Sequence, residues 1–228
     1  MPALYIHECM LSKFIVTGRI RDMRKTKEET QKTRQDILQA AVENFSDKGF
    51  FNTSLNDIAK TAGVTRGAVY WHFDNKAEIF DALHADLHEP FIEHVLADLK
   101  TDSPHPILQL RDLMTQLLLE LAHNPTKQQV MGLFLNCDYS GVLAPFKERH
   151  KASKQESLAL FEAYFKRAQE KDKLSRDADP EILTLTFHCF LKGLLIEYLN
   201  SDIIDLKAHA KPLINQLFEG LKAMHDPA

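Results

Sequence analysis

Residues 53–72 read Thr-Ser-Leu-Asn-Asp-Ile-Ala-Lys-Thr-Ala-Gly-Val-Thr-Arg-Gly-Ala-Val-Tyr-Trp-His, and this stretch decides the fold. Its spacing predicts a helix-turn-helix, in which two short helices pack across a tight turn. Ala59 is small where the helices approach, Gly63 allows the turn, and Val69 buries the second helix against the first. A generic pair of amphipathic helices would not need all three residue types in this register. The other expected members of this small core are Ile58, Ala62, Val64 and Phe73.

Hydroxyl side chains stand where each short helix begins. Thr53 or Ser54 can cap the first helix and Thr65 can cap the second, because each oxygen can accept from a free backbone N–H. Both helices are therefore expected to start sharply at these residues.

The second helix and its flanks resemble a known family. Thr65–Phe73, followed by Asn75-Lys76, is similar to the DNA-binding signature of TetR-type transcriptional regulators. Residues 24–34, Arg-Lys-Thr-Lys-Glu-Glu-Thr-Gln-Lys-Thr-Arg, resemble the opening of the AcrR and TtgR branch, which represses multidrug efflux pumps. The resemblance is dense across residues 24–90. It implies an all-α homodimer of about nine helices per subunit that binds palindromic, double-stranded operator DNA.

Several residues are expected to contact that DNA. Arg66 can read a guanine through two hydrogen bonds or contact a phosphate, and both roles stay open. The resemblance implies phosphate contacts for Tyr70 and His72, while Trp71 can serve in contact or in packing. Lys76 is expected to clamp the DNA backbone. The full expected set is Arg24, Lys25, Lys27, Thr53, Ser54, Thr65, Arg66, Gly67, Ala68, Tyr70, Trp71, His72 and Lys76, of which the first three form a basic arm that is disordered without DNA.

Charge is unevenly distributed along the chain. The formal net charge is −4, which alone argues against a nucleic-acid partner. Residues 24–76 nevertheless carry nine Lys or Arg against seven Asp or Glu, whereas residues 77–228 carry 16 against 23. The excess of basic over acidic residues therefore lies in the segment that contains the predicted helix-turn-helix, as binding to DNA requires.

Composition excludes several other classes of protein. Three cysteines at no disulfide or metal spacing indicate reduced thiols and a cytoplasmic protein. Scattered histidines are favoured over a metal site, and we expect no cofactor. No apolar run approaches the roughly 18 residues that span a membrane, so no membrane partner is expected. Residues 1–22 lack the features of a signal peptide and are expected to be an extension without its own fold, with Met23 as the natural start.

Helical periodicity continues through the rest of the chain. A fourth helix is expected over about 75–99, and Pro104 and Pro106 mark a linker after it. A fifth helix should close at residues 123–125, and two more are expected over 127–138 and 146–171. These patterns predict an extension and basic arm (1–29), a helix-turn-helix DNA-binding domain (30–90), and a ligand-binding and dimerisation domain (91–228).

The last two helices are expected to form the dimer. Residues 181–199 are apolar nearly all round, so they should be buried on every side, and residues 206–224 carry a second apolar stripe. The resemblance implies that these two helices from each subunit make a four-helix bundle.

A pocket for a small hydrophobic effector ligand is implied by the resemblance. Carried over position by position, its lining is His88, Val130, Phe134, His188 and Lys192. Alternatively, His188 and Lys192 are surface or interface residues whose hydrogen bonds are satisfied, and the sequence supports this alternative equally. Lys192 stands where relatives have an acidic residue, which disfavours cationic ligands and suits neutral or anionic ones.

The sequence therefore predicts a ligand-responsive repressor, and two alternative functions were compared with this prediction. A TetR-type regulator of lipid or nitrogen metabolism is the nearer alternative, and neighbouring genes would separate the two. An enzyme with an accessory DNA-binding domain is remote, because the chain has no nucleophile motif, phosphate-binding loop or metal spacing.

Overall fold

The computed structural model describes the backbone of residues 5–223 and the side chains of residues 26–221. Within this range the chain forms nine α-helices and no strand, which confirms the predicted all-α class. The expected roles of Arg24 and Lys25 concern side chains outside the described residues. The backbone of residues 5–22, which was expected to have no fold of its own, is helical. The helices are α1 (Tyr5–Lys48), α2 (Leu55–Thr61), α3 (Arg66–His72), α4 (Lys76–Leu99), α5 (Pro106–Ala122), α6 (Pro125–Leu135), α7 (Ala144–Glu170), α8 (Pro180–Asn200) and α9 (Leu206–Ala223), with a short 3-10 helix (Gly141–Leu143) before α7.

The chain divides into two compact units, and the first covers Met1–Ile79. The predicted helix-turn-helix is present there as α2 and α3, with Gly63 at the turn at φ +67°. Gly49 follows the end of α1 at φ +79°, a conformation that side chains disfavour. Ala62 and Val64 are only half-buried, so they contribute less to the core than expected. The buried core of this unit is Ile37, Leu38, Ala40, Ala41, Val42, Phe45, Phe50, Ile58, Ala59, Val69, Phe73 and Ile79.

The second unit covers Phe80–Ala228, and α5 packs against α9 while α7 packs against α8. Its core is rich in aromatic rings from α7, α8 and α9. The Tyr164 hydroxyl donates to Asp98 Oδ2 at 2.7 Å, which joins α7 to the end of α4. The α4 helix continues through Pro90, as its apolar stripe predicted. The largest rings in this core are Phe161, Tyr164, Phe165, Phe187 and Phe218.

Within the single subunit, α8 is buried on one side only, and its burial on every side would require a partner. Leu183, Phe187 and Leu194 are buried, but Ile182 is 58% exposed and Leu185 is 42% exposed. Cys189 and Gly193 are exposed on the same side of the helix. We call the residues Ile182, Leu185, Cys189 and Gly193 the outer face of α8. The subunit therefore leaves one face of an apolar helix uncovered.

The α8 helix also corrects the expectation about membrane-length segments. Pro180–Asn200 is long and apolar enough to cross a membrane by length and composition. A single such helix is weak support for a membrane span, because the core helix of a soluble protein meets the same criteria. Its outer face is equally suited to a protein partner.

Candidate DNA-binding and ligand-binding sites

Side-chain caps define where both helices of the helix-turn-helix begin. Of the two predicted candidates, Ser54 caps α2, and it does so reciprocally with Asp57. The Asp57 amide donates to Ser54 Oγ at 3.2 Å, and the Ser54 amide donates to Asp57 Oδ2 at 2.9 Å. The Ser54 hydroxyl also donates to Asp57 Oδ2 at 2.6 Å, and this bond, followed by the bond from the Ser54 amide, lowers the pKa of Asp57. Thr65 caps α3, with its hydroxyl accepting from the Ala68 amide at 3.1 Å.

The outward side of α3 presents most of the residues expected at DNA. Arg66, Gly67 and Tyr70 are exposed, and Ala68 is half-buried beside them. Arg66 Nη2 donates to the Tyr70 hydroxyl at 2.9 Å, and its guanidinium lies 5.2 Å from the centroid of the Tyr70 ring. Tyr70 thus holds Arg66 on the helix surface, which lowers the entropy lost when the guanidinium engages a base or phosphate.

Trp71 and His72 extend this surface. Trp71 is 71% exposed, so packing within the described part of the subunit does not account for it. Its ring meets the His72 ring edge-on, with centroids 4.6 Å apart. Burial, together with the charge of Arg34, lowers the pKa of His72. A neutral imidazole can still donate one N–H to a phosphate.

Thr53, a member of the expected DNA-contacting set, is buried within the protein. Thr53 is only 2% exposed, and its hydroxyl donates to the backbone carbonyls of Asn44 and Gly49 at 3.1 and 2.9 Å. It cannot reach a duplex while that turn is folded, so its inclusion among the DNA contacts needs correction. Thr53 instead fixes the turn that leads into α2.

Lys76 shows the clearest departure from its expected role. Its Nζ donates to the carbonyls of Phe50, Phe51 and Thr53 at 2.7, 3.0 and 2.9 Å. All three ammonium protons are therefore used within the protein. The Nζ atom also lies 4.6 Å from the centroid of the Phe50 ring, and burial lowers its pKa. These contacts favour a structural role at the start of α4 over the expected phosphate clamp.

The backbone of the basic arm belongs to α1, and its side chains are described from Thr26 onward. Lys27 is exposed and belongs to α1, so this part of the arm is helical and not disordered as expected. Its ammonium is available to a phosphate.

The residues expected to line a ligand pocket lie in the second unit, at different depths. Val130 and Phe134 are each 6% exposed on α6, so they belong to the core. His88 is half-buried on α4, and its Nε2 is 3.2 Å from the Ser153 carbonyl oxygen. Lys192 is exposed on α8, one turn beyond the half-buried His188.

Two histidines that were not predicted connect these positions. His150 Nδ1 lies 3.1 Å from His84 Nε2, so one ring donates to the other and links α7 to α4. His84 stacks on His88 with centroids 5.4 Å apart and meets Phe134 edge-on at 5.2 Å. Burial, followed by the charges of His150 and His88, lowers the pKa of His84 to about 4. The sequence feature that could have predicted this cluster is the four-residue spacing of His84 and His88, because it places both rings on one side of a helix.

Two pairs of basic residues lie on packed helices: His150 and Lys154 are one turn apart on α7, and His188 and Lys192 are one turn apart on α8. Burial lowers the pKa of His150 and of His188, and the positive charges of Lys154 and Lys192 lower both further. The Nε2 atom of His188 is buried and has no hydrogen-bond partner among the described residues. We call His150, Lys154, His188 and Lys192 the basic cluster.

An open groove of about 770 Å³ lies elsewhere on this unit, on α5 and α9. It was not predicted, and it contains none of the expected pocket residues. Two of its lining residues, Arg111 and Asp112, form an ion pair at 2.7 Å. The residues that line it are Arg111, Asp112, Thr115, Gln116, Leu119, Glu120, His123, Lys211 and Asn215.

The described residues contain no group of three or more His, Cys, Asp or Glu side chains that could hold a metal ion. Cys137 is half-buried and Cys189 is exposed. Burial and the charge of Asp138 raise the pKa of Cys137, which disfavours the reactive thiolate.

Comparison with protein-family models assigns both parts of the chain. Residues 37–83 match the model of bacterial regulatory proteins of the tetR family. Residues 105–223 match the C-terminal region of MAATS-type transcriptional repressors. The first match covers α2 and α3, and the second covers α5–α9.

Similar proteins include regulators of drug efflux. The transcriptional repressor BepR of Brucella suis is 33% identical over 204 residues, which cover 88% of this chain and 97% of BepR. The crystal structure of NalD, the secondary repressor of the MexAB-OprM multidrug efflux pump in Pseudomonas aeruginosa, is 33% identical with a TM-score of 0.73, covering 84% and 98% of the two chains. The SmeT–triclosan complex is 30% identical with a TM-score of 0.74, covering 82% and 90%. With its capped helix-turn-helix and its helical second unit, the chain belongs to the TetR family of bacterial transcriptional regulators.

Proposed function

We propose that this chain is a ligand-responsive repressor of a multidrug efflux operon. The observation that carries the proposal is the capped α3 helix, which presents Arg66, Tyr70 and Trp71 outward on a rigid base. The likeness to NalD, a named efflux-pump repressor, supports the choice of target. Binding to chromosomal DNA implies a cytoplasmic location and no membrane partner.

We propose that α3 enters the major groove of the operator. Its seven residues begin at the Thr65 cap, so Arg66 and Gly67 lead into the groove and Tyr70 and His72 reach the flanking phosphates. Ser54 and Lys27 are exposed and can add phosphate contacts. Functionally, residues 30–90 serve DNA binding and residues 91–228 serve ligand binding and dimerisation.

The outer face of α8 supports a homodimer. Exposed Ile182 and Leu185 would otherwise leave apolar surface in water, which a second copy can cover. Gly193 on the same face has no neighbour within 4 Å of the position that a Cβ would take, so another helix can approach it closely. Paired subunits would place two α3 helices about 34–36 Å apart, in successive major grooves of a palindrome.

We infer that ligand binding acts on DNA binding through α4. This helix begins at Lys76, which is bonded to the turn before α2, and continues through His84 and His88. A ligand that displaces the middle of α4 would therefore pull on that turn. To shift a repressor from 1:99 to 99:1 in favour of the released state, a ligand must prefer that state by about 5.5 kcal/mol.

A reporter driven by the chain's own promoter tests the proposal. Deletion of the gene should raise expression from this promoter and from a neighbouring transporter operon, and restoring the wild-type gene should reverse both effects. A gene that encodes the Arg66→Ala variant should not reverse either effect. Unchanged expression of every transporter operon after deletion, with the own promoter still derepressed, would reject the efflux assignment in favour of another regulated process.

A further inference from the structure

We propose that the basic cluster (His150, Lys154, His188 and Lys192) binds the anionic head group of an amphipathic effector. This inference rests on the proposed ligand-responsive function and specifies the chemical class of its ligand. The shared chemistry is a carboxylate or similar anion joined to an apolar body.

The cluster has an excess of positive charge that the described residues do not neutralise. Neither Lys154 nor Lys192 forms an ion pair within residues 26–221. The neighbouring Arg149, in contrast, is paired with Asp81 at 2.5 Å. Lys154 and Lys192 stand on the packed helices α7 and α8, and a bound anion would be attracted by both charges.

His188 adds an unsatisfied donor or acceptor to the same place. Its buried Nε2 lacks a hydrogen-bond partner among residues 26–221, although buried polar atoms are almost always hydrogen-bonded. Lys192 lies one helical turn from His188 on α8, so an anion that contacts this lysine lies close to the His188 ring. A ligand oxygen would accept from the ring and satisfy it.

Apolar rings continue from the cluster into the unit. His150 contacts His84, whose ring stacks on His88, and the His88 and Phe91 ring centroids are 6.4 Å apart. The Phe91 ring is half-buried and meets the Phe161 ring at 6.1 Å. The cluster therefore stands at the polar end of an aromatic path, which suits a ligand with a charged head and an apolar body.

Calorimetric titration with three probes of matched chain length tests the proposal. The probes are decanoate, decan-1-ol and decylammonium, with acetate as a head group alone. The full-length protein should bind decanoate about tenfold or more tightly than the other three, since one charge-assisted hydrogen bond corresponds to roughly that factor. Equal affinity for decanoate and decylammonium, or for decanoate and acetate, would overturn the proposal.

Removing the lysine charges tests whether Lys154 and Lys192 bind the anionic head group. Lys154→Gln combined with Lys192→Gln should reduce decanoate affinity about tenfold or more and leave decan-1-ol affinity unchanged. Lys127→Gln, on the exposed start of α6, removes one charge outside the cluster and should change neither affinity. An unaltered preference for decanoate in the double variant would overturn the assignment.

The His188→Phe variant distinguishes a role of His188 in ligand binding from a role in the stability of the fold. Because the substitution removes an unsatisfied buried nitrogen, the thermal midpoint should stay level or rise while decanoate affinity falls several-fold. Unchanged decanoate affinity in this variant would exclude His188 from the site. Operator binding by the ligand-free protein is measured alongside: if it persists while decanoate fails to bind, the repressor function stands and only this inference falls.

Discussion

Replacing Lys76 with Met should destabilise the first unit while leaving its exposed DNA-contacting side chains in place. Met retains most of the aliphatic stem but removes the ammonium group, and with it three hydrogen bonds to the carbonyls of Phe50, Phe51 and Thr53. Phe51 is 52% exposed, so water can readily replace the bond to its carbonyl. Phe50 and Thr53 are buried, so the loss at these two carbonyls should dominate.

The magnitude follows from those two bonds. A hydrogen bond to a charged group contributes about 1.5–3 kcal/mol, and the half-buried position of Lys76 places the effect toward the lower end. The contact with the Phe50 ring adds about 0.5–1 kcal/mol. We therefore expect a loss of about 3–4 kcal/mol in the free energy of unfolding, against a typical total of about 5–15 kcal/mol.

Urea unfolding of the full chain, followed by tryptophan fluorescence, measures this loss. Trp71 is the chain's single tryptophan and lies on α3, so its emission reports on the first unit. Lys60→Met, at an exposed position on α2, is the matched control and should leave the transition unchanged. If Lys76→Met keeps wild-type stability but weakens binding to all duplexes and lowers the salt slope by about one, Lys76 is a phosphate clamp after all.

Three further predictions concern DNA reading, assembly and pH. Arg66→Ala should weaken operator binding by about 1–3 kcal/mol and relax the preference at one base pair per half-site in a mobility-shift assay; equal losses on random DNA would restrict Arg66 to a phosphate contact. By sedimentation, Leu185→Glu on the outer face of α8 should give a folded monomer, whereas Leu194→Glu, at a position only 5% exposed, should unfold the unit; a dimeric Leu185→Glu protein would remove α8 from the interface. The pKa of His84 is about 4 in the folded chain and near 6.5 when unfolded, so stability is full above pH 6.5 and declines as pH falls toward 4. Because the ring is partly exposed, the decline should be about 1–2 kcal/mol, and His84→Asn should reduce it; an identical pH dependence of the thermal midpoint in this variant would contradict the assignment.

The fold was predictable because its signals are local. The turn at Gly63, the caps at Ser54 and Thr65 and the apolar stripes of α4–α9 each depend on residues within a few positions of one another. Pro90 did not interrupt the stripe of α4, and the helix continues through it. Family signature and helical periodicity therefore led to the same architecture.

The roles of single side chains were harder to predict because they depend on distant partners. The acceptors of Lys76 lie 23–26 residues earlier in the chain, so its sequence position at the start of α4 suggested an available charge. His84 meets His150 across 66 residues, and neither histidine stood out by itself. The outer face of α8 required knowing which side of an apolar helix the subunit covers.

DNase footprinting of the DNA that flanks the gene tests the central claim most directly. The wild-type protein should protect two half-sites related by a dyad and separated by about one helical turn of DNA, and Arg66→Ala should abolish this protection at the same concentration. Protection should also disappear when the inducing ligand is added. Absence of any protected inverted repeat in this DNA, with wild-type protein that is folded and helical, would contradict the assignment of this chain as a repressor acting near its own promoter.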